Sequence, residues 1–375
     1  MGNIWPVYRK VLMFLPKHGR MHEAQLEKAK EAEKILRKHR CLGASLCIFD
    51  SEKVLGEAAF GEARKGVPAA VDTVYRIASV SKLVTAMGAM KLQEKGVLSI
   101  DRDVADYFPI SLRHPKAPDT SVTLRMLMSH TAGIHDGVDY NSGIAKNVPL
   151  SSLLKGDSFC THLPGEIWEY SNFGAGIAGA VMEAAAGMDF EALMQKEVFS
   201  PLGVQATFYP QKVQGELADA TRILPPQKAP NFNAKSRMAK PLPKVQCDAE
   251  HHYNLAHGNL CISAKELAKL SMALMQPGFL TEESLQDMRK VIRPFGRRAH
   301  NLSQGVGTFI LQDQTIHSRP LYGHQGMAYG ACHGLFFDVE TKKGMVLLTS
   351  GVSEARDGVL SDVNKDMLRL YLAEE

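Results

Sequence analysis

Ser79-Val80-Ser81-Lys82 is the most informative tetrapeptide in this sequence, because it reads S-x-x-K and opens the apolar segment 83–92. Residues i and i+3 share one face of a helix, so a helix here would bring Ser79 Oγ within hydrogen-bond reach of the Lys82 amine. A serine hydroxyl is a poor nucleophile until a neighbouring base takes its proton. A lysine desolvated beside apolar side chains can serve as that base. The tetrapeptide therefore indicates covalent acyl chemistry.

The alternative interpretation of this segment is an N-cap serine followed by a surface lysine. The residues that follow argue against it, because they predict a helix that is apolar nearly all round, and such a helix belongs in a protein core. Its large apolar residues are Val80, Leu83, Val84, Met87 and Met90. A lysine in the first turn of a core helix needs a chemical reason, and base catalysis supplies one.

The composition is that of an ordinary globular protein: of 375 residues, 45% are hydrophobic and 22% are charged, which is enough chain to bury a large core. The formal net charge of +4 is small for this length, and there is no basic stripe with interleaved aromatic residues. We therefore expect no nucleic-acid partner. No segment approaches the roughly 18 apolar residues of a membrane span, so we expect no stable membrane insertion.

Residues 1–21 are predicted to be an N-terminal extension without a standard targeting signal. The apolar run 11–15 is shorter than a signal-peptide core, and Pro6 stands where a myristoylation signal has Ser or Thr. A weak membrane association through the apolar residues of 4–14 is an alternative. The six cysteines contain no C-x-x-C pair, and scattered reduced thiols predict a cytoplasmic protein.

Strand-like patterns lie near both ends of the chain, with helical patterns between them. Residues 22–39 carry apolar residues at helical spacing and predict an exposed helix, and the runs 42–49 and 54–60 around a polar turn predict a hairpin. Further strands are predicted at 305–311, 334–338 and 345–349, before a closing helix at 359–372. This order implies one sheet assembled from both termini.

The middle of the chain is predicted to be helical, since it carries several helix caps. Thr123 and Asp189 are candidate N-caps, and Gly187 is a candidate helix stop. Ser263 and Glu266 match a capping box.

Residues 210–250 are rich in Pro and Lys and lack clear periodicity, so they predict a long loop. Its basic part, 228–244, is most simply a solvated loop. The alternative is a lid that covers the active site and selects the acyl group, because long loops often carry function.

Two more motifs follow S-x-x-K in the sequence: Tyr170-Ser171-Asn172 reads Y-x-N, and residues 324–326 read H-x-G. The three motifs together resemble those of the serine β-lactamase and penicillin-binding protein superfamily. The resemblance is greatest to its class C-like branch, which includes esterases, D-peptidases and acyltransferases. In that branch the second motif is Y-x-N and the third is K-T-G or H-x-G.

Three further stretches support the resemblance. Residues 127–134 are similar to L-L-S-H-T-S-G-I, residues 164–172 to P-G-x-x-x-x-Y-S-N, and residues 198–203 to I-F-x-P-L-G. The resemblance covers about 40–350, with the motifs in the expected order. It implies an α/β (α+β) fold of the β-lactamase/transpeptidase type, which is a three-layer sandwich around an antiparallel sheet with a helical insertion domain.

The resemblance and the order of elements together predict three parts. Residues 1–21 are the N-terminal extension, 22–100 with 300–375 form the α/β sandwich domain, and 101–299 form the mainly helical domain, with the long loop inside it. We expect the active site to lie in the cleft between the two domains.

The resemblance also implies a role for each motif residue. Ser79 would attack a carbonyl carbon and form an acyl-enzyme, and Lys82 and Tyr170 would share the proton transfers. Because a nearby ammonium favours a phenolate, Tyr170 could act first as a base and then as an acid.

The remaining motif residues would hold the substrate. Asn172 would orient either the substrate or Lys82. The oxyanion hole would use the backbone N–H groups of Ser79 and Met327. Gly326 would leave room for substrate beside its strand, which we expect to be an edge strand.

His324 departs from the lactamase form of the third motif, which has a lysine. A lysine is a permanent cation that can hold a substrate carboxylate, whereas histidine is largely neutral at pH 7. We therefore expect a serine hydrolase that acts on small esters or amides through an acyl-enzyme, as an esterase or acyltransferase. The alternatives are a D-amino-acid peptidase or weak β-lactamase and, from another class, a catalytically inactive binding or scaffold relative. The oligomeric state is left open.

Four polar residues outside the motifs, Asp248, His251, His252 and His257, could bind a metal. Their spacing matches no standard ligand pattern, and the mechanism that the resemblance implies needs no metal, so we expect no metal and no cofactor. His130 is expected to be structural, in a local hydrogen-bond node with its two neighbours.

Overall fold

The computed structural model describes residues 19–110, 112–143, 146–154, 156–223 and 232–373. The strands in these residues are Met21–Gln25 (β1), Gly43–Asp50 (β2), Val54–Arg64 (β3), Val67–Pro68 (β4), Val74–Arg76 (β5), Ala206–Thr207 (β6), Cys261–Ser263 (β7), Arg293–Pro294 (β8), Leu302–Gln304 (β9), Phe309–Leu311 (β10), Leu321–Ala328 (β11), Ala331–Asp338 (β12) and Lys343–Gly351 (β13). Ten of them form one sheet in the order β1-β3-β2-β13-β12-β11-β10-β9-β8, with β4 beside β3, and β5-β7-β6 form a small second sheet. The antiparallel pairing of β2 with β13 joins the two ends of the chain, which confirms the predicted sheet.

The α-helices in the described residues are Ala29–Lys38 (α1), Ser81–Glu94 (α2), Leu124–Met128 (α3), Val138–Gly143 (α4), Leu150–Leu153 (α5), Asn172–Ala186 (α6), Phe190–Met194 (α7), Ser200–Leu202 (α8), Ala234–Met238 (α9), Tyr253–Ala256 (α10), Ala264–Met272 (α11), Glu282–Arg289 (α12) and Asp362–Tyr371 (α13). A π-helical turn, Gln195–Phe199, connects α7 to α8. Ser79 lies in a 3-10 turn, Ala78–Val80, directly before α2.

Helices cover both faces of the large sheet and make the fold a three-layer sandwich. Along β13, Met345 and Leu347 pack in one core and Val346 and Leu348 in the other, since successive side chains of a strand point to opposite faces. The core that contains Met345 also takes in α1 and α13, and the other core takes in α2 and the helices from the middle of the chain. The expected α/β (α+β) fold with an antiparallel sheet is confirmed.

The predicted helix at 22–39 is wrong at its N-terminal end. Residues 21–25 form β1, and the helix α1 begins only at Ala29. In β1, Glu23 lies opposite Ala59 and Gln25 opposite Glu57, so strand pairing at the sheet edge overrides the helical pattern of this segment. A short edge strand with exposed polar side chains, one of them the charged Glu23, also suits its position, because such edges resist pairing with other chains.

The predicted caps are confirmed for three helices. The side chains of Thr123, Asp189 and Ser263 each accept a hydrogen bond from the backbone N–H three residues on, and Gly187 ends α6 with a φ of 60°. Glu266 does not complete a capping box, because its carboxylate accepts a hydrogen bond from the backbone of the loop after α8.

Two predicted segments fall partly outside the described residues: 1–18 of the N-terminal extension, with its weak membrane association, and 224–231 of the long loop. The described remainder of the predicted loop 210–250 contains α9 and a 3-10 turn, Pro210–Lys212. None of the helices in the described ranges combines the length and the apolar character needed to cross a membrane.

Candidate active site

Ser79 lies at the turn where the chain leaves the small sheet and enters α2. The turn is held by Ser81, whose hydroxyl donates to the Ala78 carbonyl at 2.6 Å and accepts from the Leu260 N–H at 3.2 Å. Ala78 has a φ of 49°, a left-handed conformation that costs free energy in a residue with a side chain and persists where the surroundings enforce it. As predicted, α2 is buried nearly all round, so the core fixes the position of Ser79.

The amine of Lys82, in the buried first turn of α2, is surrounded by three oxygen atoms. It lies 3.0 Å from Ser79 Oγ, 2.9 Å from Asn172 Oδ1 and 2.7 Å from the backbone carbonyl of His257. The predicted contact between Ser79 and Lys82 is confirmed. The contact with His257 could not be predicted, because every residue has a backbone carbonyl and its type gives no signal.

The environment of Lys82 makes its amine easy to deprotonate. The pKa of Lys82 is lowered to about 7, and burial is the largest cause. The carboxylate of Asp136 raises this pKa, and the positive charge of Arg76 lowers it, but both effects are smaller than that of burial. A large fraction of the amine is therefore neutral at neutral pH. A neutral amine can keep donating to the amide and carbonyl oxygens beside it while its lone pair accepts the proton of Ser79.

Tyr170 meets Ser79 from the other side. Its hydroxyl donates a hydrogen bond to Ser79 Oγ at 2.7 Å, and the Lys82 amine lies 5.0 Å from the centre of its ring. Burial raises the pKa of Tyr170 above its ordinary value, and the hydrogen bond with Ser79 offsets only part of this. The expectation of a phenolate is therefore wrong, because the site is too desolvated to favour the anion, and the hydroxyl is protonated at neutral pH.

Asp136 is a site residue that the sequence analysis missed. Its carboxylate accepts hydrogen bonds from Asn172 Nδ2 at 2.8 Å, from Ser171 Oγ at 3.1 Å and from the Phe173 N–H at 2.9 Å. These contacts turn the amide so that Asn172 Oδ1 faces Lys82. A negative charge at the start of α6 also suits the positive end of the helix dipole. The only signal for Asp136 in the sequence is its place two residues after the 127–134 stretch. Lone aspartates in loops are common, so this signal does not identify a site residue.

His130 packs against the second motif from outside the reacting groups. Its Nδ1 accepts a hydrogen bond from the Ser171 N–H at 3.2 Å, and its ring lies 4.3 Å from that of Tyr170. Burial lowers the pKa of His130 well below its ordinary value, so the imidazole is neutral and can accept this bond. Its neighbours Ser129 and Thr131 hydrogen-bond to each other at 3.0 Å. These contacts fit the predicted structural role.

Gly326 brings the strand β11 against the turn that carries Ser79. A Cβ at this position would lie 2.2 Å from the Ile77 carbonyl and 3.1 Å from the Ser79 nitrogen. The expectation that the glycine leaves room for substrate is wrong, because the chain's own backbone fills that space. The strand β11 is an interior strand over 321–323, where β10 pairs with it, and it has the expected free edge only beyond those residues. From position 324 onward, the free side of β11 faces the Ser79 turn, and Met327 lies in this part of the strand.

His324 is fully buried and cannot act as a cation. Its ring stacks on Phe309 with centroids 3.9 Å apart, and its Nδ1 lies 2.6 Å from the carbonyl of Gln325, to which it donates. Burial and, to a smaller extent, the positive charge of Lys82 lower the pKa of His324 to about 3. Its Nε2 has no hydrogen-bond partner in the described part of the chain. The imidazole is therefore neutral, as the sequence predicted.

The four polar residues considered as metal ligands do not form one cluster. His257 belongs to the active site through its carbonyl, and His251 pairs with Asp248 at 2.8 Å. His252 faces two buried carboxylates on other segments instead.

Known proteins are similar to this chain over different lengths. Penicillin-binding protein 4* of Bacillus subtilis is 28% identical over 192 residues, which is 48% of this chain and 41% of that protein. Esterase EstB of Burkholderia gladioli is 24% identical over 369 residues, which is 89% of this chain and 92% of that protein. The chain thus spans about two fifths of the first relative and nearly all of the second.

The fold and the family are found again in two further comparisons. The structure of EstCE1, described as a hydrolase with promiscuous acyltransferase activity, has a TM-score of 0.71 at 22% identity and covers 91% of this chain and 98% of that one. At this identity the likeness concerns the fold. The model of the Beta-lactamase family matches residues 24–366, which contain all three motifs. The chain therefore belongs to the Beta-lactamase family.

Proposed function

We propose that this chain is a serine hydrolase of the esterase type, which cleaves small esters or amides through an acyl-enzyme on Ser79. One observation carries the proposal: Ser79 Oγ lies 3.0 Å from the Lys82 amine and 2.7 Å from the Tyr170 hydroxyl. A nucleophile, a base with a lowered pKa and a proton donor thus converge on one point. The S-x-x-K and Y-x-N motifs supply these groups, and the H-x-G motif lies alongside them on β11.

In the proposed acylation, Ser79 Oγ attacks the substrate carbonyl carbon while the neutral Lys82 amine takes the hydroxyl proton. The new C–O bond forms, and collapse of the tetrahedral intermediate breaks the bond to the leaving group. Tyr170 donates its phenolic proton to the leaving group, and the Lys82 ammonium returns a proton to Tyr170. A protonated tyrosine and a largely neutral lysine are the starting states that this sequence of transfers requires.

The tetrahedral intermediate carries a negative charge that needs hydrogen-bond donors beside Ser79. We assign this role to the backbone N–H groups of Ser79 and Met327, because Gly326 lets β11 lie directly against the Ser79 turn. Deacylation repeats the steps with water, or with another alcohol or amine, as the acceptor. The promiscuous acyltransferase activity described for EstCE1 is the reason to test both kinds of acceptor.

The state of His324 favours esters and neutral amides over substrates that are held by a carboxylate. A buried imidazole whose pKa is lowered to about 3 offers no positive charge to such a group. A D-amino-acid peptidase or weak β-lactamase is the alternative, in line with the penicillin-binding protein among the relatives. An inactive scaffold is disfavoured, because Ser79, Lys82 and Tyr170 are all present and in contact.

Hydrolysis of p-nitrophenyl butyrate by the wild type and by Ser79→Ala, each followed by intact-mass spectrometry, tests the proposal. We expect turnover and a transient butyryl adduct on the wild type, and a fall in kcat of at least about 10³-fold in the variant. Ser152→Ala, which changes an exposed serine, is the control and should leave the rate unchanged. Equal rates for the wild type and Ser79→Ala would exclude Ser79 as the nucleophile.

Two further probes separate the alternatives. Faster turnover of nitrocefin than of the ester would favour a β-lactamase. Failure of a fluorophosphonate probe to label the wild type, together with no ester turnover, would favour an inactive scaffold.

We also propose a reducing, cytoplasmic compartment for this chain. Its six cysteines are all free thiols, and Cys41, Cys47, Cys261 and Cys332 are buried, which fits a compartment where disulfides are rare. Cell fractionation of the tagged protein tests this, and recovery with membranes would contradict it.

A further inference from the structure

A second cluster of ionisable side chains lies away from the active site, where three segments of the helical region meet. Glu183 comes from α6, Asp189 is the N-cap of α7, and His252 directly precedes α10. Glu183 is fully buried, and Asp189 is 3% exposed. One ligand atom of each side chain lies within 4.8 Å of the other two. Side chains from separate segments therefore converge on one small volume.

One oxygen atom in this cluster has no hydrogen-bond partner among the described residues. Asp189 Oδ1 accepts the N-cap hydrogen bond of α7 at 3.0 Å, but the buried Oδ2 accepts none. This Oδ2 points into the cluster, 3.6 Å from His252 Nδ1. A buried acceptor without a partner loses the hydrogen bonds that it makes to water in the unfolded chain, so its presence calls for a ligand.

The charges of the cluster do not balance. Within the described residues, both Glu183 and Asp189 form their ion pairs with His252, and neither pairs with a lysine or arginine. Glu183 also accepts a hydrogen bond from the backbone N–H of Asp248. One imidazole thus faces two buried carboxyl groups. Buried charges are costly unless they are paired or coordinate a metal.

We propose that Glu183, Asp189 and His252 bind one divalent metal ion of the zinc class. In a tetrahedral zinc site with bonds of about 2.0–2.1 Å, the ligand atoms lie about 3.3 Å apart. His252 Nδ1 is 3.0 Å from Glu183 Oε1 and 3.6 Å from Asp189 Oδ2, so the two separations bracket that value. One imidazole nitrogen and two carboxylate oxygens are donors that zinc accepts. The metal takes the place of the proton on Nδ1.

A cavity gives the ion a path from solvent. It has a volume of about 510 Å³, and its walls include His252, Asp248 and Tyr209. The hydroxyl of Tyr209 is buried and has no hydrogen-bond partner in the described ranges. A water from the cavity supplies the fourth ligand, as in zinc sites with three protein ligands.

The ion would stabilise the segment that positions the catalytic lysine. His252 leads into α10, and the residue after this helix, His257, presents the carbonyl that faces Lys82 at 2.7 Å. A ligand that binds the folded state alone stabilises that state. We therefore expect the metal to raise the melting temperature and to take no direct part in acyl transfer.

A metal titration distinguishes this site from a buried ion pair that needs no metal. The parent protein for this titration carries Cys247→Ser, which removes an exposed thiol. EDTA removes any bound metal from it, and after desalting it is titrated with Zn²⁺ against a chromogenic chelator. We expect one Zn²⁺ per chain and at least tenfold weaker binding in Asp189→Asn, whose amide oxygen can still cap α7. Asp248→Asn changes a carboxylate in the cavity wall that is not among the three ligands, and it should bind like the parent.

The proposal is overturned if the parent protein binds no stoichiometric Zn²⁺, or if Asp189→Asn binds it equally well. Far-UV circular dichroism in EDTA checks that the variant is folded. If it is not, the spectrum of Co²⁺ bound to the parent decides: visible bands of tetrahedral nitrogen and oxygen coordination support the site, and a thiolate charge-transfer band, or no bands, contradicts it. None of these readouts depends on ester hydrolysis.

Discussion

Among single residues, Lys82 governs how the proposed activity depends on pH. Burial lowers its pKa to about 7, so the fraction of neutral base grows as the pH rises through this value. We expect kcat/KM for p-nitrophenyl butyrate to rise about tenfold per pH unit below pH 7 and to level off above it. Tyr170 adds no falling limb just above neutrality, because burial raises the pKa of its hydroxyl. A profile that is flat or falls between pH 5 and 9 would contradict the role of Lys82 as the base.

Asp136 acts on the same amine through its charge and through Asn172. Its carboxylate raises the pKa of Lys82 against the larger lowering by burial. Asp136→Asn removes the charge, so we expect the midpoint of the pH profile to move down. The variant also loses hydrogen bonds to the start of α6, and we expect its free energy of unfolding to fall by about 1–3 kcal/mol. Asp139→Asn, at an exposed position, should change neither quantity, and an upward shift of the midpoint in Asp136→Asn would exclude the electrostatic role.

Residue types with a chemical signature could be predicted, and partners without one could not. Ser79, Lys82 and Tyr170 were found because their hydroxyl and amine groups and their spacing are specific. The carbonyl of His257, 175 positions from Lys82, has no such signature. The neutral state of His324 follows from its ordinary pKa. The phenolate expected for Tyr170 rests on a nearby ammonium, and spacing does not reveal the burial that raises the pKa of Tyr170 instead.

Among the elements, the contact between β11 and the Ser79 turn sets the geometry of the proposed oxyanion hole. Gly326→Ala would place a Cβ 2.2 Å from the Ile77 carbonyl, so β11 must move away from the turn. We expect a fall in kcat of about 10²–10³-fold, the cost of losing one oxyanion donor, and a loss of about 1–3 kcal/mol in the free energy of unfolding. Steady-state kinetics and urea denaturation measure the two effects.

Gly174→Ala is the matched control for this substitution. Its Cβ meets Ser171 at an ordinary 3.5 Å, inside α6, so alanine should leave kcat unchanged and slightly favour the helix. A fully active Gly326→Ala would show that β11 does not need its close approach to Ser79.

Elements with local signals could be predicted, and those fixed by distant partners could not. The helix starts at Thr123 and Asp189 were predictable because an N-cap side chain bonds within its own turn. The segment that forms β1 has a helical pattern, and its pairing with β3 cannot be inferred from its own sequence. Glu266 has the pattern of a capping box, yet its partner comes from another loop.

At the scale of the whole molecule, one sheet joins the two ends of the chain. The order of strand-like runs was sufficient to predict such a sheet, but not its register, which depends on packing between distant segments. Lys343 pairs with Asp50 and Thr349 with Ala44. We still propose two domains, a sandwich domain of 22–100 with 300–375 and a helical domain of 101–299. The strand β8, Arg293–Pro294, lies within the second range but adds the last strand to the large sheet.

The outer layer joins the two ends of the chain a second time, through Asp366 in α13. Its carboxylate accepts hydrogen bonds from the Lys38 amine at 2.6 Å and from His39 Nε2 at 2.8 Å, both at the end of α1. Burial raises the pKa of Asp366, but the bonds from His39 and Lys38 outweigh it and hold the pKa below its ordinary value. A carboxyl group whose pKa is lower in the folded state stabilises that state above its unfolded pKa, and this stability is lost as the pH falls.

Asp366→Asn should therefore lower the free energy of unfolding at pH 7 by about 1–3 kcal/mol, because hydrogen bonds to a charged group are lost. The difference from the wild type should shrink as the pH falls below about 4, where the unfolded carboxyl group becomes protonated and the wild type loses the same contribution. Urea denaturation at pH 7 and at lower pH measures both values, with Asp357→Asn at an exposed position as the control. A difference that stays constant with pH would show that packing, and not the charge of Asp366, holds α1 against α13.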